Sequence, residues 1–233
     1  MRKRRAHHPN AVHHRPVSLR HYIRYAALSW SRKAVHYWPD HARVRSLAKQ
    51  RYYFVPLQYD GDAQITHHSR FGVNTRFLSE LLQSFASHAP ADTQLVIRQH
   101  PWSRGEQGHR AFIRGLALQL KIAHRLVFLV EGHTPTLVRN ALGVVLINST
   151  VGLQALEHMR PLKVLGQAVY ERPDICFQGS LDAFWALLPA PDPAEVNAFL
   201  LQLRNLTQLP CNVYGARKEP LYWHLSDDSG GSR

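Results

Sequence analysis

Two hydrophobic periods alternate along most of this chain of 233 residues. Short, continuous apolar runs stand at Tyr52–Leu57, Thr93–Arg98, Leu126–Val130, Gly143–Ile147 and Leu162–Leu165. Each is rich in aromatic or β-branched residues and predicts a buried strand. Between them, apolar residues recur at helical spacing. Asn74 is placed to cap a helix running to about His88, with Phe77, Leu78, Leu81, Leu82 and Phe85 on its inner face. Residues 109–123 predict a second helix through Phe112, Ile113, Leu116, Leu120 and Ile122. Thr134 and Pro135 supply a cap and a first-turn proline for a short one. Ser149–Met159, Leu181–Leu188 and Pro193–Leu206 complete the set, and residues 59–73 read as a loop. Strands without polar alternation, separated by amphipathic helices, imply a parallel sheet covered on both faces. The fold class is therefore α/β, a doubly wound Rossmann-like sheet.

The N-terminal part follows another pattern. Residues 18–38 predict a helix whose apolar stripe is Leu19, Ile23, Ala26, Ala27, Trp30, Ala34 and Trp38. Arg20, Arg24, Arg32 and Lys33 lie mostly off that stripe, and Pro39 and Asp40 break the pattern. Such a stripe packs on the body, or on a neighbouring domain, or lies on an anionic membrane. The domain layout is then a disordered basic arm (1–17), an amphipathic connecting helix (18–50), a Rossmann-like domain (51–215) and a disordered tail (216–233).

Charge sharpens this division. Residues 1–50 carry 12 Lys and Arg against Asp40 alone, while residues 51–233 are nearly balanced, 17 against 15. A neutral body behind a basic arm argues against a nucleic-acid-binding domain, which carries its charge on its own folded face. Cys176 and Cys211 are too few for a disulfide framework, so reduced thiols and a cytoplasmic setting are expected. The basic start is followed by no apolar segment of signal-peptide type. The 16 histidines form no metal-binding spacing, and no metal or cofactor is expected.

In a doubly wound sheet, ligands bind beyond the carboxyl ends of the strands. The unusual residues of this chain stand there. After the first strand come Gln58, Asp60 and Asp62, then His67, His68 and Ser69. A carboxylate in that place serves as base or nucleophile, or simply belongs to an Asp-Gly turn. After the second strand, Pro101 holds His100 extended, where its imidazole can donate to a phosphate or ribose. Glu131 follows the third strand and can accept from a ribose or base, or sit in a solvated loop. Asn148, Ser149, Thr150 and Gly152 lead from the fourth strand into a helix. They form either a phosphate cradle or an ordinary helix cap.

The order of these motifs resembles the capsular polysaccharide synthesis family, of KpsS/LipB type. The resemblance runs over roughly residues 50–215. It rests on VPLQ, GDAQI, HSRF, RQHP, EGHTPTL, NSTVGL at Asn148–Leu153, and the PLKVLG-x-A-x-Y block at Pro161–Tyr170. It implies the C-terminal, donor-binding half of a GT-B-type β-Kdo glycosyltransferase. Such an enzyme moves Kdo from CMP-Kdo to a phosphatidylglycerol-type lipid at the inner face of the cytoplasmic membrane, alongside other capsule assembly proteins. By the same resemblance Asp62 is the nucleophile of a retaining reaction. His100 and Pro101 match an HP motif and Ser149 and Thr150 a serine motif, both directed at CMP. Family members carry a further N-terminal half before VPLQ, so a non-catalytic CMP- or partner-binding remnant is the alternative expectation.

Overall fold

The computed structural model describes residues 19–60, 62–105 and 109–207. The predicted basic arm (1–17), the tail (216–233) and Cys211 lie outside the described residues. Five strands, β1 (Tyr52–Pro56), β2 (Gln94–Arg98), β3 (Leu126–Leu129), β4 (Gly143–Leu146) and β5 (Leu162–Val164), form one sheet in the order β3-β2-β1-β4-β5. All neighbouring strands are parallel, with Tyr53 opposite Leu95 on one side and Gly143 on the other. Every predicted strand is present, with each end within one residue of its expected place.

The strands alternate their side chains between two apolar cores. Tyr52 and Phe54 of β1 point into one core, with Val96, Val144 and Val164. Tyr53 and Val55 point into the other, with Leu95, Ile97 and Val145. The second core is covered by α3 (Asn74–His88), α4 (Arg110–Gln119) and α7 (Leu181–Leu187). The first is covered by α5 (Thr134–Asn140), α6 (Val151–Glu157), α8 (Pro193–Thr207) and the end of α1 (Leu19–Leu47). A short α2 (Ala63–Thr66) interrupts the loop after β1, which the apolar spacing did not foretell. Two helices end earlier than expected. Lys121 and Met159 adopt left-handed backbone, φ 59° and 51°, and so stop α4 and the helical turn after α6. The 3-10 turn Ala123–Arg125 then fills the gap before β3.

One expectation fails in α1, and one of the three alternatives for its stripe is set aside. The helix does not stop at Pro39 but runs through it to Leu47. Proline removes one helical hydrogen bond. Its cost is offset because the turns beyond it dock: Val44 and Leu47 are buried in the core. Asp40, also buried, accepts from the backbone N–H groups of Val130 and Glu131, each at 2.9 Å. The apolar stripe does not pack on the body either. Ile23, Trp30 and Trp38 are all more than half exposed. The contact instead runs through polar groups, with Tyr25 donating to the carbonyl of Trp102 and Arg32 Nη1 to that of Arg104 at 2.6 Å.

Candidate functional site

The strand order reverses at β1. The chain winds outward through β2 and β3, then returns to the other side of β1 for β4. The crevice between the carboxyl ends of β1 and β4 is the switch point at which such sheets bind ligands. Gln58 and Asn148 meet across it. Gln58 Nε2 donates to Asn148 Oδ1 at 3.0 Å, and the Asn148 N–H donates to Gln58 Oε1 at 3.4 Å. Both side chains are buried. Asn148 Nδ2 also donates to the carbonyl of His68 at 3.2 Å. His68 therefore joins this cluster through its backbone, while its ring is exposed. Ser69 turns inward on its own loop, donating to the carbonyl of Ile65 at 2.6 Å.

The turn after β4 is fastened from behind. Ser149 Oγ accepts from the Val151 N–H at 3.3 Å, and Thr150 is exposed at the helix start. Gly152 corrects the sequence reading. Its missing side chain leaves no opening for a ligand: a Cβ there would lie 2.4 Å from Tyr170 Cζ. The Tyr170 ring fills that space, and its hydroxyl donates to the carbonyl of Ser149. The glycine is needed for close packing at the strand-end turn.

The two carboxylates after β1 part company. Asp60 is occupied. It accepts from Asn74 Nδ2 at 2.6 Å and pairs with His109 Nε2 at 2.9 Å. Burial works to raise its pKa, but the bonds from His109 and Asn74 outweigh burial and hold the carboxyl below its ordinary value. Asn74 is thus no helix cap, since it also donates to the carbonyl of Gln58 at 2.8 Å and braces the loop. Asp62 opens α2. Its N–H donates to the carbonyl of Tyr59 at 2.9 Å, and its own carbonyl accepts from Ile65 at 3.0 Å.

His100 stands at the end of β2, with Pro101 opening a 3-10 turn (Pro101–Gly105) behind it. The Trp102 N–H donates to His100 Nδ1 at 3.1 Å. That bond leaves Nε2 to carry the proton of the neutral ring. Burial keeps the His100 ring below the ordinary histidine value; Arg98 and Arg104 add to this, and the Asp62 carboxylate opposes it. Asp62, His100, Arg98 and Arg104 therefore share one electrostatic neighbourhood, assembled from the ends of β1 and β2.

Glu131 has a different place from the one expected of a solvated loop residue. It is buried and ion-paired with Arg104, whose Nη2 donates to Oε2 at 3.2 Å. Its carboxylate thus holds the cationic cluster together at the end of β3. Arg98 is mostly buried and donates to Thr134 Oγ1 at 2.8 Å. Burial pulls its pKa down and Glu131 pushes it back up. Sequence reasoning missed Arg98, Arg104, Asp40 and the exposed Trp102. Arg98 directly precedes the Gln-His-Pro turn, a position the strand-end rule could have flagged.

The arrangement offers fixed donors for an anion, polar amides across the switch point, and the partly exposed carboxylates Asp60 and Asp62. Among the described residues no three His, Cys, Asp or Glu side chains are grouped to hold a metal ion. A groove of about 320 Å³ lies between α6 and α8, lined by Leu153, Asn197, Leu200 and Arg204.

Comparison with known proteins bears on the whole chain. Over 211 residues it is 35% identical to the capsule polysaccharide modification protein LipB of Neisseria meningitidis serogroup A, covering 89% of this chain and 50% of LipB. It is 36% identical over 172 residues to the capsule polysaccharide export protein KpsS of Escherichia coli, covering 74% of this chain and 44% of KpsS. The chain thus spans about half the length of these curated relatives. Among solved structures, Thermosulfurimonas dismutans KpsC, a beta Kdo 2,7 transferase, aligns at 23% identity with a TM-score of 0.38, covering 63% of this chain and 47% of that one. The model of the capsule polysaccharide biosynthesis proteins matches residues 2–214, from the basic arm through every strand end described above. With the match extending over nearly the entire sequence, the chain belongs to the capsule polysaccharide biosynthesis protein family.

Proposed function

We propose that this chain acts in capsule polysaccharide assembly as the donor-binding half of a retaining glycosyltransferase, which moves Kdo from CMP-Kdo to a phosphatidylglycerol-type lipid. The observation that supports this reading is the switch point itself, where Gln58 after β1 meets Asn148 after β4, with the Asp62 carboxylate acting electrostatically on the His100 ring beside it. A nucleophile and a phosphate donor are needed side by side for such chemistry, and they come from different strand ends.

In the reaction, an Asp62 carboxylate oxygen forms a bond to the anomeric carbon as the bond from that carbon to the CMP phosphate oxygen breaks. The electron pair leaves with CMP. His100, neutral and carrying its proton on Nε2, donates to the departing phosphate, and Ser149 and Thr150 contribute hydroxyls at the turn after β4. The lipid-linked hydroxyl then attacks the same carbon, Asp62 leaves as a carboxylate, and the hydroxyl proton passes to solvent. Two inversions give net retention. Gln58 and Asn148 shape the crevice floor and Glu131 anchors Arg104, so these residues position rather than react.

The test is a trapping experiment. The chain is incubated with CMP-Kdo, quenched in acid, digested and examined by mass spectrometry. A Kdo adduct on the peptide that carries Asp62, absent from Asp62→Ala, is the expected result. An adduct on another residue, or donor cleavage that persists in Asp62→Ala, contradicts the assignment.

A further inference from the structure

The proposed chemistry makes no use of the exposed stripe of α1. That helix is 29 residues long, and its body-facing side is accounted for by Tyr25, Arg32, Asp40, Val44 and Leu47. On the side turned away, Ile23, Trp30 and Tyr37 follow one another at helical spacing, with Trp38 beside them. Trp30 is 70% and Trp38 74% exposed, far beyond what a solvated helix needs. Arg20, Arg24 and Arg45 are exposed around the stripe, and the Lys33 ammonium lies 5.3 Å from the Trp30 ring centre. The single carboxylate of the helix, Asp40, is buried and bonded to backbone N–H groups. The outward face of α1 therefore presents aromatic rings and positive charge with no negative charge from the helix itself.

We propose that this face is a docking surface for an anionic lipid bilayer, with α1 lying in the plane of the headgroups. Trp and Tyr rings favour the boundary between headgroups and acyl chains, and cations beside them gain from anionic lipid. A second copy of the chain fits less well, because it would bring one uncompensated cationic stripe against another. Nor is the helix a spanning one: among the described residues no helix is long and apolar enough to cross a membrane. The fold then ties the bilayer to the site. Tyr25 and Arg32 hold α1 to the turn after His100, and Asp40 holds it to the end of β3. The docking surface stands on α1 alone; that it brings a lipid acceptor to the strand ends rests on the function proposed above.

The test is flotation of the whole chain with vesicles of phosphatidylglycerol and phosphatidylcholine, beside vesicles of phosphatidylcholine only. Binding to the anionic vesicles, more than tenfold weaker to the neutral ones, is expected. Removing two cations in Arg20→Ala/Arg24→Ala should weaken binding about 25-fold, at about fivefold per cation. Trp30→Ala/Trp38→Ala should weaken it by at least as much. Both variants alter exposed groups only, so each should unfold at the wild-type temperature and bind CMP as the wild type does. Equal binding to neutral vesicles, no binding by a folded chain, or variants that bind like the wild type would overturn the proposal. So would a wild-type dimer in sedimentation that the Trp variant abolishes, which would assign the stripe to a second copy. Failure of CMP binding with vesicle binding intact would strike the function proposed above and leave the docking surface standing.

Discussion

Replacing Gly152 by alanine would put a methyl carbon 2.4 Å from Tyr170 Cζ and 2.5 Å from its hydroxyl oxygen. Contacts that close do not occur, so the ring or the helix must move. Neither moves cheaply. Tyr170 is only 3% exposed, its hydroxyl donates to the carbonyl of Ser149, and its own carbonyl accepts from the Arg172 N–H at 3.0 Å. Overpacking a tight contact costs about 1–3 kcal/mol. Losing the tyrosine hydrogen bond adds about 1 kcal/mol. Against this, alanine gains up to about 1 kcal/mol over glycine inside a helix. The net expectation for Gly152→Ala is a loss of about 1–4 kcal/mol, read as a lower urea midpoint with an unchanged slope. The decisive comparison uses Tyr170→Leu, which removes the far ring atoms but keeps apolar bulk. In that background Gly152→Ala should cost nothing or stabilise slightly, since only helix propensity remains. A Gly152→Ala variant as stable as the wild type would refute the packing role. So would a loss of the same size in the Tyr170→Leu background, because the cost would then lie elsewhere than in the ring.

The remaining expectations concern the α1 anchor and the His100 ring. Asp40→Ala leaves the buried N–H groups of Val130 and Glu131 unpaired and should cost about 3 kcal/mol, with Asp40→Asn milder because an amide oxygen still accepts. Urea unfolding measures both, and an Asp40→Ala chain within about 0.5 kcal/mol of wild type would contradict the docking of α1 through this residue. His100 sits below the ordinary histidine value in the folded chain. The unfolded chain therefore takes up the proton first as pH falls below about 6.5. Its contribution is a loss of stability that begins there, grows toward the lower folded value and then levels off. His100→Gln should remove that portion of the pH dependence, and unfolding curves that keep the same pH slope in the variant would contradict it.

The sheet was legible because each strand is a short apolar run and each helix a periodic one, signals that need no knowledge of distant partners. Those partners are what the pattern hid. Pro39 reads as a stop, and only the bonds from Asp40 to residues 90 and 91 positions away, with the burial of Val44 and Leu47, show why the helix continues. Asn74 reads as a cap, but its amide is drawn to the Gln58 carbonyl and Asp60 across the loop. Gly152 reads as a place for a ligand until Tyr170, from beyond β5, is found in the space. The candidate residues themselves divide by the same rule. Gln58, Asn148, Asp62 and His100 could be named as candidates because strand ends are where a parallel sheet exposes chemistry. Arg98 and Arg104 were not, because charge at the end of an apolar run resembles ordinary solubilising charge until Glu131 is seen buried against it.

The central claim is that the ends of β1, β2 and β4 form a donor site for a CMP-linked sugar. Isothermal titration of the whole chain with CMP tests it most directly, beside His100→Ala, Ser149→Ala and Asp62→Ala, each checked for cooperative unfolding. The account predicts saturable one-to-one binding that is lost or weakened at least tenfold in the first two and kept in Asp62→Ala, whose carboxylate meets the sugar rather than the nucleotide. A folded chain that takes up no CMP, or one whose affinity is the same with and without the His100 ring, would contradict it.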